Sequence, residues 1–246
     1  MAVSPPASRR MANDDKLAPR SSRAQLHAFL AEATRTPVRL SEGRGRLLFA
    51  LDATASREPT WSQACALQAE MFKETTALGG LEVKLCYYRG LGDFGSSPWL
   101  EQSEQLLGHM AEVHCVGGLT QIGRVLRHAL ALSQGARINA LVFVGDCVEE
   151  CTDTLSQLAG KLGLFGIPAF VFQEGHDPRA EQVFRHIAAL TRGAYGRFDA
   201  GSARQLRDLL RAVAVYAAGG RTALDRHAQL KRGAALDLMR QLPDSS

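Results

Sequence analysis

From residue 46 onward the chain alternates two patterns: short unbroken apolar runs, and longer stretches whose apolar residues recur every three or four positions. The first pattern fits strands buried on both faces, and the second fits helices that pack by one side. Strands are predicted over 47–51, 81–88, 138–144 and 167–172, with shorter ones over 112–116 and 194–198. Helices are predicted over 61–78, 99–110, 120–133, 152–162, 178–191 and 202–218. Gly79-Gly80 closes the first of these helices, and the Gly-rich stretch 90–98 has the composition of a loop. Buried strands separated by helices call for a mostly parallel central sheet with helices on both faces. The expected class is therefore α/β, doubly wound.

The two ends break this rhythm. Residues 1–22 are rich in Pro, Ser, Arg and Asp and have no periodicity, which fits a disordered basic tail. Leu26, Phe29 and Leu30 then fall at helical spacing, and Thr36-Pro37 stops that helix, so 23–44 are expected to be an N-terminal helix and linker. The α/β domain is expected over 45–218. Past Gly219-Gly220, Leu224, His227, Leu230, Ala234 and Leu238 make one apolar stripe, a helical extension over 219–246.

Composition and charge narrow the partners. With 246 residues, 46% hydrophobic and 22% charged, the chain is neither fully disordered nor a disulfide-stapled mini-domain. No apolar run approaches the roughly 20 residues of a membrane-spanning helix, and the first residues lack the apolar stretch of a secretory signal. A cytoplasmic location is expected. The net charge of +4 is unevenly placed: +5 over 1–46, −5 over 47–201 and +4 over 202–246. An acidic body between basic ends argues against a nucleic-acid reader, whose basic patch belongs on the folded surface. Five scattered cysteines fit reduced thiols.

Ligands of doubly wound sheets bind beyond the carboxyl ends of the strands, near the switch point in strand order. The first buried strand runs out in Asp52, with Thr54 and Ser56 at alternate positions after it. The strand over 138–144 runs out in Gly145-Asp146, and Thr120 follows the pair Gly117-Gly118 at a predicted helix start. Two carboxylates and three hydroxyls are hard oxygen donors, suited to Mg²⁺ or Mn²⁺ and not to zinc. Two carboxylates about 5 Å apart repel by roughly 3 kcal/mol at an effective dielectric near 20, a cost that a divalent ion removes.

This constellation resembles the metal-ion-dependent adhesion site (MIDAS) of von Willebrand factor type A (VWA) domains. The run from Phe184 to Tyr195, with a Gly-aromatic near its end, is similar to that family's late helix and following strand. The resemblance covers roughly 45–218. It implies a Rossmann-like sheet, mostly parallel with one short antiparallel edge strand, and a metal that joins the domain to an acidic residue of a partner protein. By position, Asp52 would hold the ion through water or one oxygen, Ser56 and Thr120 through their hydroxyls, and Asp146 directly or through water. Thr54 stands where the family has serine, keeping the hydroxyl on a stiffer side chain. Cys147 follows Asp146 where the family commonly has glycine.

Plainer roles compete for the same residues. Asp52, Ser56 and Thr120 are all good helix caps. Cys147 and Cys151, four apart beside Asp146, Glu149 and Glu150, are expected to be small inert thiols whose reactivity the carboxylates blunt. His109, His114, His128 and His186 stand singly and read as surface or packing residues, and Trp61 and Trp99 as core. No catalytic base accompanies the constellation, so a binding module that is not an enzyme is expected. A Mg²⁺-dependent phosphohydrolase of the haloacid-dehalogenase type is the enzyme alternative, but the general acid it needs two residues after Asp52 is replaced by Thr54. A metal-free scaffold is the third reading.

Overall fold

A computed structural model describes residues 44–59, 80–198 and 203–230. The predicted N-terminal helix, the helix predicted over 61–78, the basic tail and most of the C-terminal extension lie outside those residues. Among the described residues, six strands make one sheet in the order β3-β2-β1-β4-β5-β6. They are β1 (Gly45–Asp52), β2 (Leu81–Arg89), β3 (Asp93–Ser96), β4 (Ala140–Gly145), β5 (Ala169–Glu174) and β6 (Ala194–Phe198). All neighbours pair in parallel except β2 and β3. The helices are α1 (Ser103–Ala111), α2 (Ile122–Gly135), α3 (Thr152–Leu164), α4 (Pro178–Leu190) and α5 (Ala203–Leu230).

The two faces follow from the period of a strand, which sends successive side chains to opposite sides. Leu47, Phe49 and Leu51 of β1 pack with Leu106 and Met110 of α1 and with Leu210, Val213 and Tyr216 of α5. Leu48 and Ala50 face the other way, onto Val125 of α2, Leu155 of α3 and Phe184 of α4. Being buried on both sides, β1 and β4 must read as unbroken apolar runs. Helix starts are set locally where chemistry allows: Asp177 accepts the Ala180 N–H at 2.6 Å ahead of α4, and Pro178 takes the first helical position.

Three expectations change. The stretch 90–98 holds the strand β3, in which the Tyr87 ring lies over Gly95: a Cβ there would come within 2.4 Å of the ring, which would have to turn aside. The stretch 112–116 is not a strand. Val113 is buried in the core, but Val116 donates its N–H to Ala53 O and accepts from Gly90 N, crossing the strand ends instead of lengthening the sheet. The helix predicted from residue 99 starts at Ser103, because Leu100 is bonded backbone to backbone with Val83. The break expected at Gly219-Gly220 is present: α5 kinks at Gly220, whose φ of 68° lies in the left-handed region.

Candidate functional site

The strand order reverses between β1 and β4, the one place in the sheet where neighbouring strands lead their connections to opposite sides. Asp52 ends β1 beside Gly145, which ends β4; a Cβ on Gly145 would lie 3.6 Å from that of Asp52. Three loops meet at this edge. One follows β1 through Thr54 and Ser56, one follows β4 from Asp146 to Glu150, and one precedes α2 through Thr120.

Asp52 is fully buried and both its oxygens are engaged: Oδ1 accepts the Thr54 N–H and Oδ2 accepts the Tyr88 hydroxyl, each at 2.8 Å. Burial nonetheless raises its pKa above the ordinary carboxylate value; the Thr54 and Tyr88 bonds oppose that, and the nearby charge of Asp146 adds to it. The Thr54 and Ser56 hydroxyls stand 3.0 Å apart, with Ser56 exposed. Asp146 is half-buried, and its Oδ1 is sealed from solvent with no hydrogen-bond partner. Thr120 is tied to the Asp146 loop rather than to the hydroxyl pair: its N–H donates to Glu149 Oε2 at 2.8 Å and its hydroxyl accepts from Glu149 N at 3.0 Å. The structure thus joins Asp52 to Thr54 and Thr54 to Ser56 directly, sets Asp146 against Asp52 as a neighbouring charge, and brings Thr120 in through Glu149.

The helix near Pro59 that Asp52 and Ser56 could cap lies outside the described residues. No side chain caps the short 3-10 turn Ala55–Arg57, and Thr120 does not cap α2. Glu150 does so from the other loop, accepting the N–H groups of Ile122 and, at 2.9 Å, Gly123. The donor set fits a hard divalent ion: a buried carboxylate oxygen without a donor is the group a cation would satisfy. Among the described residues, no three His, Cys, Asp or Glu side chains gather to hold a metal, so an ion here must lean on the hydroxyls.

Tyr88, Arg57 and Glu174 belong to this region and carry no signal of it in the sequence, whereas Glu149 and Glu150 are visible there only as acidic neighbours of Asp146. Arg57 is wholly buried and ion-pairs with Glu174. The thiols divide. Burial, then Asp146 and Asp52, push Cys147 up to about 12, as the neighbouring carboxylates suggest. Cys151 goes the other way: it is exposed, and hydrogen bonds from Thr154 and Asp153 at the start of α3 lower its pKa, so the expected blunting does not extend to it. His128 packs edge-on against Phe94, and Trp99 packs on the core with Arg46 and Lys84 over its ring.

By sequence the chain matches no family model and no curated protein. By structure it is similar to the SpRpn10 VWA domain, with a TM-score of 0.55 and 13% identity over 68% of this chain and 94% of that one. The fold is VWA-like. An aerotolerance-related membrane protein from Bacteroides fragilis superposes on this VWA-like sheet with a TM-score of 0.53 and 16% identity, covering 66% of this chain and 95% of that one. Proximal thread matrix protein 1 of the mussel byssus, described with a zinc-occupied MIDAS motif, gives a TM-score of 0.58 at 12% identity over 70% of this chain and 46% of its own. At these identities the likeness is one of fold. Among the described residues, no helix is long and apolar enough to cross a membrane.

Proposed function

We propose that this VWA-like domain is a cytoplasmic protein-binding module, not an enzyme, and that it recruits a partner through a divalent cation. Asp52, Thr54, Ser56, Thr120 and Asp146 hold Mg²⁺ or Mn²⁺ in this reading, and an acidic side chain of the partner protein completes the coordination. The observation that carries it is the buried Oδ1 of Asp146, which has no donor and lies beside a second, fully buried carboxylate at the switch point. Each residue has a distinct task. Tyr88 and the Thr54 N–H fix the Asp52 carboxylate. Glu149 and Glu150 hold the Thr120 loop and the start of α2 against the Asp146 loop, so the hydroxyls and carboxylates come from rigid elements. The bound ion supplies the positive charge that lets an acidic site attract an acidic partner.

The test is calorimetric titration of Mg²⁺ and Mn²⁺ into EDTA-stripped protein, with Asp52→Ala in parallel. Zn²⁺ is included because zinc occupies that motif in proximal thread matrix protein 1. Saturable binding that disappears in Asp52→Ala, accompanied by a higher Tm in the wild type, is the expected result. Equal binding by both proteins, or binding by neither, overturns the reading.

A further inference from the structure

Arg57 follows Ser56 directly, and none of its surface reaches solvent. A guanidinium keeps its charge at any ordinary pH, so one buried in a fold needs compensating charges close by. Glu174, the last residue of β5, is one such group, paired with it directly. The Phe198 ring covers the group, with the guanidinium carbon 5.9 Å from its centroid. Burial lowers the Arg57 pKa, and the charges that oppose this most are those of Asp52 and Asp146. A fixed positive charge therefore lies next in the chain to Ser56, within electrostatic reach of the Asp52 and Asp146 carboxylates and paired with a third.

We propose that Arg57 is a built-in counter-charge of the site, and that the Arg57–Glu174 pair sets how tightly the divalent ion is held. This rests on the metal reading above. A permanent cation partly neutralises Asp52 and Asp146 before any ion arrives and repels the ion when it does. Glu174 offsets part of that repulsion. In a buried setting this interaction is little screened by salt. The ion is consequently held weakly until a partner carboxylate adds negative charge, so ion and partner raise each other's affinity reciprocally.

The consequences have opposite signs for the two members of the pair. Arg57→Met, which keeps the bulk and removes the charge, tightens Mn²⁺ binding about tenfold or more, and Glu174→Gln, which leaves Arg57 unopposed, weakens it by a similar factor. Arg57→Lys stays near wild type, and the double variant Arg57→Met/Glu174→Gln returns toward it. The experiment is Mn²⁺ calorimetry on the EDTA-stripped full chain, with circular dichroism confirming each fold. If Arg57→Met fails to fold, Glu174→Gln, which is isosteric, carries the test. General structural damage would lower affinity in both variants, so the opposed signs mark the charge itself. Affinities within threefold of wild type, in a wild type that binds and loses binding on Asp52→Ala, overturn this proposal and leave the metal reading standing. Absence of Mn²⁺ binding in every variant removes both.

Discussion

Asp52 and Tyr88 are opposite each other in the register of two parallel strands, 36 positions apart in the chain. The hydroxyl of one meets the carboxylate of the other in a place water does not reach. A buried acceptor that loses its donor keeps its desolvation penalty, about 1–3 kcal/mol. Tyr88→Phe is therefore expected to lower stability by about that amount in urea denaturation, and a loss under about 0.5 kcal/mol would show that Tyr88 does not support Asp52. The spacing of Asp52, Thr54 and Ser56 is legible in the sequence because it is local: alternate positions after a strand turn one way. Tyr88, Glu174 and the charge on Arg57 were not legible as parts of the site. Their partners come to them only through sheet register, and nothing in a linear pattern separates a buried arginine from a surface one.

Among the elements, the strands buried on both faces were the clearest in the sequence, since burial on both sides leaves no polar position to confuse the pattern. Edge and crossing segments were not. β3 has four residues and two of them are exposed, so its composition is that of a turn. The stretch 112–116 carries the apolar residues of a strand but spends its backbone hydrogen bonds on neighbouring loops. Gly118 has a similar lesson: as part of a glycine pair it suggests flexibility, yet it is needed because the Gly90 carbonyl oxygen lies 1.9 Å from where its Cβ would be. Helix α2 depends on Glu150 for its start, across 27 residues of chain. Glu150→Ala is expected to cost about 1–2 kcal/mol, the range for loss of an N-terminal cap, and to weaken Mn²⁺ binding by loosening the Thr120 loop. Urea melts and calorimetry on the same variant check both parts; unchanged stability would mean the cap is carried by other groups.

Stability belongs to the whole molecule, and its pH dependence shows which buried groups the fold holds in one charge state. His128 of α2 is half-buried against Phe94 of β3, with its Nε2 sealed from solvent and lacking a hydrogen-bond partner. Burial lowers its pKa, and the charge of Lys84 lowers it further. The folded protein therefore binds fewer protons here than the unfolded chain. Its contribution is complete above the unfolded value of 6.5 and is lost as the pH falls through that value toward the depressed one. The urea midpoint of the wild type should drop more between pH 7.5 and pH 5 than that of His128→Gln; parallel declines would exclude the effect.

One close contact orients the molecule. Gly45, the first residue of β1, lies so near α5 that a Cβ would be 2.1 Å from the carbonyl oxygen of Ala217, and the kink at Gly220 follows three residues later. Gly45 and Ala217, close to the two bounds expected for the domain, thus meet at the far end of β1 from Asp52. A unit whose entry and exit coincide can be carried as a cassette within a longer chain, because a short gap in its host is enough to receive it.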